Sequence, residues 1–225
     1  MRSGPSDAAG HERLSRLPAG WTALRLKQVA RMDYGGALPR DRRVPGAVPV
    51  YGSGGRDGWH DQANTDGPAI VLGRKGSFGR VHYSEVACFC IDTAFYIDRR
   101  HTAHDLHWIA WLLEGLGLDD VSRDTGVPGL SRAETYARMV PVPPPAEQRA
   151  IAADLGRRAG AIEALAATLD ERLDALAALR TGLIREAVQR GVNAAAPLRD
   201  SGVAWIGRLP RHWTTRRLKW LAELR

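Results

Sequence analysis

A glycine-rich basic segment at residues 73–80 (GRKGSFGR) has the composition of a loop that binds an anion. Its glycines let the backbone approach a ligand closely, and backbone N–H groups in such turns can surround a phosphate. It carries Arg74, Lys75, Ser77 and Arg80. It is not a P-loop, because that motif places a lysine directly after its last glycine and a helix behind it. The segment is either a DNA-facing loop or a hairpin turn with solvated charges.

Two further polar loops carry residues of the same types. Residues 51–56 (YGSGGR) follow an apolar run and offer Tyr51, Ser53 and Arg56 for contacts to a ligand. Residues 123–132 offer Arg123, Thr125, Ser131 and Arg132. Contacts to phosphate supply affinity for DNA, whereas bidentate side chains on base edges supply specificity. Both loops could instead be connectors, and the sequence assigns no arginine to phosphate or to base.

Patterns typical of catalytic centres do not occur in the sequence. No Asp or Glu lies two residues before a lysine, as a common nuclease half-motif requires, and the Asn-Pro-Pro-aromatic tetrad of amino-methyltransferases is missing. His101, His104 and His107 recur every third residue, but this spacing drifts around a helix and no Cys or carboxylate completes a zinc set. Cys88 and Cys90 alternate in an apolar run and are predicted to be core residues. We therefore predict a non-catalytic chain without cofactor or metal.

Short strands and a helix must position these loops. Five apolar runs are predicted to be strands, at residues 48–51, 69–72, 80–83, 86–91 and 94–97. Apolar residues then recur with helical spacing between residues 103 and 116. Three prolines at 143–145 end this part, because proline continues neither a helix nor a central strand. The pattern predicts a mixed α/β (α+β) globular domain over residues 17–142, preceded by a disordered lead at 1–16.

A long helix is predicted for the segment 143–192, running from Glu147, after the prolines, to about Arg190. Apolar residues fill the a positions and most d positions of a heptad pattern: Ile151, Leu155, Ile162, Leu165, Leu169, Leu176, Leu179 and Leu183. Arg158 and Arg172 interrupt the d positions. A narrow leucine seam is typical of a coiled coil, so we expect a spacer and dimerisation helix that pairs with a second helix. The alternative is a core helix of the preceding domain.

A segment near the start of the chain returns near its end. Residues 17–27 (LPAGWTALRLK) recur as residues 209–219 (LPRHWTTRRLK). A repeat so widely spaced is not a solenoid unit, which spans roughly 20–50 residues. We interpret residues 193–225 as a linker and the start of a second, truncated domain.

The charge balance favours an anionic partner. The chain has 32 Lys and Arg against 25 Asp and Glu, a net charge of +7, and its lysines are Lys27, Lys75 and Lys219. The planar guanidinium group of arginine contacts phosphate and guanine edges, so the excess favours nucleic acid. A coding bias toward arginine explains the choice of cation but not the net charge. Because no signal peptide and no apolar run of about 18 residues occurs, we predict a cytoplasmic protein.

The order of these pieces resembles the specificity subunit of type I restriction–modification systems. Segments that look like its target recognition domain are Trp21 with Leu26-Lys27, VPVYGSGG at 48–55, IVLGRKGSFG at 70–79 and DTAFY at 92–96. The segment PPPAEQRAI at 143–151 is similar to its proline-to-helix junction. The segment DSGVAWIG at 200–207 is similar to the entry of the next such domain.

The resemblance implies a DNA-binding protein whose two recognition domains, held apart by two long antiparallel helices, each read half of a bipartite site. It also implies two partners, a methyltransferase subunit that uses S-adenosylmethionine and an ATP-driven restriction subunit. With one domain and one helix in this sequence, we expect a homodimer, or pairing with another specificity subunit. Pairing of two copies would give a symmetric split target. The alternative is a truncated assembly or interference module without specificity of its own.

Overall fold

The computed structural model of the chain describes residues 17–118, 129–193 and 195–217. The lead predicted at 1–16 lies outside these residues, as do Arg123, Thr125 and the last part of the repeat from Leu218 onward. The chain divides into two compact units, and the division falls inside a long helix between Arg158 and Ala159.

The first unit alternates short strands and helices. Its strands in chain order are β1 (Thr22–Arg25), β2 (Asp33–Tyr34), β3 (Val48–Gly52), β4 (Gly55–His60), β5 (Ala69–Gly73), β6 (Val81–Ser84), β7 (Phe89–Cys90), β8 (Ala94–Asp98) and β9 (Met139–Val142). Its helices are α1 (Leu26–Val29), α2 (Leu106–Gly115), α3 (Arg132–Ala137) and the beginning of α4 (Pro145–Arg190), with a 3-10 turn at Arg40–Arg42. This arrangement confirms the predicted mixed domain followed by a long helix.

Two sheets form the centre of the first unit. One has the strand order β2–β8–β5–β6, and the other has the order β4–β3–β7. The β3–β7 pair is parallel, whereas the remaining ladders are antiparallel. A separate pair joins β1 to β9, so that Thr22 lies opposite Val142 and the two ends of the domain meet.

Strand β5 is buried along its whole length because it lies between two core clusters. Ile70 and Leu72 contribute to the larger cluster, which includes the buried face of α2. Alternate residues of a strand face opposite sides of its sheet. The smaller cluster accordingly contains the intervening residues of β5, both cysteines and the first residue of β8: Ala69, Val71, Cys88, Cys90 and Ala94. The prediction that the cysteines are core residues is confirmed.

The predicted strand at 86–91 is wrong in its first half, since β7 covers Phe89 and Cys90 alone. The side chains of Asn64 and Thr65 take the backbone hydrogen bonds that a ladder would otherwise make. The Thr65 hydroxyl accepts from the Cys88 amide and donates to its carbonyl oxygen, both at 2.9 Å. The Asn64 amide group pairs with the backbone of Cys90 at 2.8 Å in each direction.

Asp98 at the end of β8 anchors a network of charged side chains. The carboxylate is fully buried and lies 2.7 Å from Nδ1 of His101, whose Nε2 lies 3.0 Å from Asp33. Burial alone would raise the pKa of Asp98. Hydrogen bonds from the Arg100 guanidinium and from two backbone amides, with the charge of His101, instead lower that pKa to about 2. The network fixes the turn between β8 and α2.

Helix α4 is attached to the first unit through its first two turns, where Gln148 and Ala152 are buried. The Gln148 side-chain amide donates to the Pro143 carbonyl oxygen (2.8 Å), and its oxygen accepts from the Asp105 amide (3.1 Å). The helix includes Pro145, although it was predicted to begin after the prolines. Proline is tolerated at the first helical position, where its missing N–H has no intrahelical partner anyway.

The second unit contains the rest of α4 and a small two-stranded sheet, β10 (Leu198–Asp200) with β11 (Arg208–Pro210). Trp213 of the repeated segment lies beside Gly191, directly after α4, and its carbonyl oxygen accepts a hydrogen bond from Arg199 at 2.7 Å. Its counterpart Trp21 donates its ring N–H to Glu147 at the start of the helix. In the described ranges, every helix is too short or too polar to cross a lipid bilayer.

Candidate nucleic-acid interface

Two of the predicted loops lie side by side, because both are tied to Thr93. Its hydroxyl accepts a hydrogen bond from the Ser53 amide (3.3 Å), and its carbonyl oxygen accepts from the amides of Arg74 (2.9 Å) and Lys75 (3.0 Å). At the same junction, Nε2 of His82 lies 3.1 Å from the Ser53 carbonyl oxygen. The loop after β3 and the loop after β5 therefore form one surface.

Glycines permit the loop after β5 to fold back on itself. A Cβ atom on Gly73 would lie 2.2 Å from the Ser77 carbonyl oxygen, so a side chain at this position would collide with the backbone. Gly76 has a φ of +71°, a conformation that L side chains rarely adopt. The Gly79 amide donates to the Gly73 carbonyl oxygen at 2.9 Å and closes the turn. Residues 73–80 thus form the turn between the antiparallel strands β5 and β6, and their contact with DNA stays a prediction.

The third predicted loop reaches the same surface at its C-terminal end. Lys75 forms an isolated β-bridge with Gly129, and the Leu130 amide donates to the Arg74 carbonyl oxygen at 2.9 Å. These two contacts bring the beginning of α3 beside residues 73–80. All three predicted loops thus meet, in the part of the third loop that the structure describes.

Ser131 and Tyr51, two of the predicted DNA-binding residues, contribute to the fold of the domain itself. The Ser131 hydroxyl accepts the Glu134 amide (3.3 Å) and caps α3, so its oxygen is engaged in the helix. Tyr51 is half-buried and packs against the smaller core cluster, with its ring centre 6.5 Å from that of His82. A contact of either residue with DNA stays a prediction.

Five cations of this surface lack an ion pair within the described residues: Arg56, Arg74, Lys75, Arg80 and Arg132. Arg56, Lys75 and Arg80 are exposed, as is Ser77, whereas Arg74 and Arg132 are half-buried. A group of cations that carboxylates do not neutralise produces a positive potential and attracts an anion. Binding of DNA to this surface stays a prediction.

A shallow cleft of about 300 Å³ opens beside the first loop, lined by residues 52–57 with Ile91 and Thr93. The backbone of the glycine turn and the Arg56 side chain form much of this lining. Arg56 also lies over the ring of Trp59, with Cζ 5.2 Å from the ring centre, and Trp59 is 49% exposed. The lining of the cleft thus combines glycine backbone with a cation, Arg56, and a carboxylate, Asp57, while Trp59 lies outside it.

An arginine-rich segment that the sequence analysis missed borders this cleft. Nη2 of Arg40 and Nη2 of Arg43 lie 2.7 Å and 2.9 Å from the two carboxylate oxygens of Asp57. The hydrogen bond from Arg43, supported by that from Arg40, lowers the pKa of Asp57. The cluster RDRR at 40–43 was the available signal, because four charges in a row between two prolines mark an exposed loop.

Tyr34 is a second residue that the sequence did not reveal. It lies on β2 and is 50% exposed, and its ring centre is 5.1 Å from Cζ of Arg74 and 4.7 Å from Cζ of Arg132. In the sequence, a single tyrosine before two glycines does not indicate that its side chain lies beside these loops. The pairing of β2 with β8, distant in sequence, brings it to the surface formed by the loops.

The three spaced histidines each have a partner within the protein. His101 lies between two carboxylates, and Nδ1 of His104 lies 2.9 Å from the side-chain nitrogen of Gln148. His107 stacks on Tyr83 with ring centres 4.1 Å apart. Over the described residues, no three His, Cys, Asp or Glu side chains are grouped so as to hold a metal ion.

Helix α4 presents a second candidate surface, formed by its heptad residues. Beyond the attached turns these residues are 49–67% exposed: Ile162, Leu165, Leu169, Leu176, Leu179 and Leu183. Leu155 is 38% exposed, and Ile151 is partly buried against the main core. An apolar stripe of this length on a helix is typical of a surface that another helix covers. We name the six heptad residues from Ile162 to Leu183 the leucine stripe.

Comparison with known proteins places the fold among those of restriction–modification subunits. No protein-family model and no curated protein sequence matches the chain. Among solved structures, it is similar to a chain from work on complex assembly and conformational transition of the type I R-M system, with a TM-score of 0.64 and 18% identity over 81% of this chain. The S subunit of a type I restriction–modification system from M. genitalium gives a TM-score of 0.56 and 20% identity over 80%.

The HsdS subunit from Thermoanaerobacter tengcongensis is also similar, with a TM-score of 0.51 and 16% identity over 71% of this chain. The chain spans about half the length of these neighbours, 51%, 48% and 44% respectively. A strand-rich domain followed by a long helix is therefore a fold that this chain shares with subunits of type I restriction–modification systems.

Proposed function

We propose that the chain is a DNA-specificity subunit of the type I restriction–modification class, acting in the cytoplasm. In this proposal residues 17–142 read one half of a bipartite duplex target, and α4 assembles the complex. The chain itself is non-catalytic. Methyl transfer and DNA cleavage belong to partner subunits, a methyltransferase and a restriction subunit.

One observation carries the DNA-binding proposal: three loops from separate parts of the sequence converge on one surface with five unneutralised cations. A duplex presents regularly spaced phosphates, and several cations held on one face suit them. The exposed side chains of Arg56, Lys75 and Arg80 have the length and freedom to enter a groove. The glycine turns let the backbone itself come close to the duplex.

The leucine stripe supports the assembly role of α4. A coiled-coil seam that remains exposed needs a second helix, which in this proposal belongs to another copy of the chain or to another specificity subunit. Two copies related by a two-fold axis would read the two halves of the target as inverted repeats. The paired helices would then be where the methyltransferase docks.

The salt dependence of DNA binding tests the proposal. If each of the five cations neutralises one phosphate, the log–log slope of affinity against salt is roughly −4.5, and affinity falls about 500-fold from 50 to 200 mM salt. Fluorescence anisotropy of the full chain with a 30-base-pair duplex of random sequence measures this slope. A slope near zero, or no binding at 50 mM salt, would show that the surface does not bind DNA.

The exposed stripe also favours a second candidate, an assembly or interference module. Such a protein would pair with other specificity subunits through α4 and withhold the methyltransferase from them. Co-expression with a complete system, followed by sequencing of methylated sites, distinguishes the two. A new bipartite motif indicates a specificity subunit, whereas loss of existing methylation without a new motif indicates interference.

A further inference from the structure

We propose that Arg74, Tyr34 and Arg132 form a binding site for the phosphodiester backbone of DNA. In this site the two arginines supply affinity for any sequence and do not read bases. The inference rests on the proposed function and assigns a role within it. We call these three residues the tyrosine–arginine site.

The geometry of the site brings two cations to one exposed ring. Cζ of Arg74 lies 5.1 Å from the Tyr34 ring centre, and Cζ of Arg132 lies 4.7 Å from it. The two Cζ atoms are therefore less than about 10 Å apart. Arg74 also lies 5.8 Å from the ring centre of Phe95. Within the described residues the Tyr34 hydroxyl makes no hydrogen bond, so it can donate to a ligand oxygen.

Backbone carbonyl groups, not carboxylates, orient both arginines. Nη2 of Arg74 donates to the Asp92 carbonyl oxygen (2.9 Å), and Nη1 of Arg132 donates to the Met32 carbonyl oxygen (3.4 Å). A carbonyl group fixes the guanidinium and leaves its full charge in place. Each of these hydrogen bonds uses one of the five N–H donors of its arginine and leaves others for a ligand. Because both side chains are half-buried and held against the domain, they suit a phosphate at the surface of a duplex better than a base edge inside a groove.

The electrostatics of the free site favour an anion. Two guanidinium groups over one ring repel each other, and each cation–π contact at such an exposed position is worth only about 0.5–1 kcal/mol. Nε of Arg74 is buried without a hydrogen-bond partner in the described part of the chain, which adds a desolvation cost. A phosphodiester group has one negative charge and two acceptor oxygens, so it relieves the repulsion and hydrogen-bonds the remaining donors.

The backbone around Tyr34 holds the ring in place before any ligand arrives. Tyr34 lies opposite Phe95 in the β2–β8 register, and the two ring centres are 5.0 Å apart. The following residue, Gly35, passes so close to Ile91 that a Cβ atom would lie 2.0 Å from the Ile91 carbonyl oxygen. The site is therefore preorganised, which reduces the entropy lost when it binds.

Replacing Arg132 tests the site directly. The full chain and its Arg132→Gln variant are titrated with the 30-base-pair random duplex between 50 and 200 mM salt. Loss of one phosphate contact should reduce the magnitude of the log–log slope by about 0.9 and weaken binding roughly eightfold at 0.1 M salt. Arg132→Lys keeps the charge and should restore most of the slope. Arg180→Gln, at an exposed arginine of α4, is the matched control and should bind like the unchanged chain.

Selection of bound duplexes from a random library separates affinity from base reading. Arg132→Gln should select the same motif as the unchanged chain, with weaker binding to every member. A changed base preference would overturn the assignment to phosphate. Unchanged affinity and slope in Arg132→Gln would overturn the site while leaving the proposed function intact. If the unchanged chain itself does not bind the duplex, the proposed function fails instead.

Substitutions of Tyr34 test its positioning role. Tyr34→Leu keeps an apolar side chain but removes the ring over which both cations lie, so it should lower affinity and slope as Arg132→Gln does. Tyr34→Phe restores the ring and should recover most of the loss. Circular dichroism melts show whether each variant is folded. If folded Tyr34→Leu binds as tightly as the unchanged chain, the tyrosine has no part in the site.

Discussion

Replacing Leu169 and Leu176 with alanine should abolish pairing through α4 while leaving the recognition domain folded. Both residues are a positions of the heptad pattern and belong to the leucine stripe, with 49% and 61% of their surface exposed. Alanine keeps the helix intact because it has the highest helix propensity. The substitution therefore removes contact surface without breaking the element that presents it.

The expected magnitude follows from the exposed surface. Fully burying a leucine side chain contributes about 1.5–3 kcal/mol, and about half of each of these two side chains remains to be covered. Each leucine then contributes about 1 kcal/mol to pairing, and two copies of the chain supply four of them. The total of about 4 kcal/mol corresponds to a weakening of the dimer dissociation constant of roughly a thousandfold.

Light scattering after size exclusion, over a range of protein concentrations, measures the mass, and co-purification with the methyltransferase subunit measures docking. Val188→Ala is a matched control, because Val188 is 69% exposed but occupies an f position, away from the seam. The reasoning about the stripe is refuted if the unchanged chain and the double variant have the same mass and retain the methyltransferase equally.

Three further changes test other parts of the molecule. Arg74→Ala combined with Lys75→Ala should reduce DNA affinity at least tenfold, as measured by anisotropy. The mass of the paired chains, measured by light scattering, should be unchanged. If the double variant binds DNA as tightly as the unchanged chain, this loop is not part of the interface. Asp98→Asn should lower the free energy of unfolding at pH 7 by about 2 kcal/mol. The ionised Asp98 carboxylate stabilises the fold fully above its ordinary pKa of 3.8, and this stabilisation is lost as the pH falls through about 2. Urea titrations between pH 2 and 5 should therefore show a flatter pH dependence in the variant, and parallel curves would contradict the network. Gln148→Ala should cost about 1–3 kcal/mol, because it leaves the Asp105 amide and the Pro143 carbonyl without their partner. The control is Arg149→Ala, at the exposed neighbouring position, and equal melting temperatures of the two variants would contradict this role of Gln148.

The elements that the sequence predicted are those whose signal is local. Strands β3, β5 and β8 appear as short apolar runs, and α4 appears as a heptad pattern without an internal proline. For the strands, the apolar run is sufficient because each is largely buried, and for α4 the heptad repeat is sufficient although most of the helix is exposed. The turn after β5 also has a local signal, the three glycines of residues 73–79.

The parts that the sequence did not predict depend on contacts between distant segments. Val86 belongs to an apolar run, yet it is 58% exposed and lies outside β7. Further along the same run, Thr65 and Asn64 hydrogen-bond the backbone of Cys88 and Cys90 in place of a neighbouring strand. Side chains of this kind can replace a ladder only where the fold brings them, and no local pattern shows it. Tyr34 reaches the candidate interface through a two-residue strand, which is too short to leave a periodic signal.

Arginine serves two opposite purposes in this domain, and the partner of each guanidinium distinguishes them. Arg40, Arg43 and Arg100 are bound to carboxylates, so their charge is neutralised and they hold the chain together. Arg74 and Arg132 are bound to carbonyl oxygens, which fix the side chain equally well but leave its charge available. A protein that must attract a polyanion and also remain rigid needs the second arrangement at its binding surface, because a carboxylate there would compete with phosphate for the same donors. The number of arginines in the sequence therefore does not by itself show how many cations are available to an anionic ligand. Under the proposed function, the cations of this surface that are available to DNA are those without a carboxylate partner within the described residues, whether or not a carbonyl group orients them.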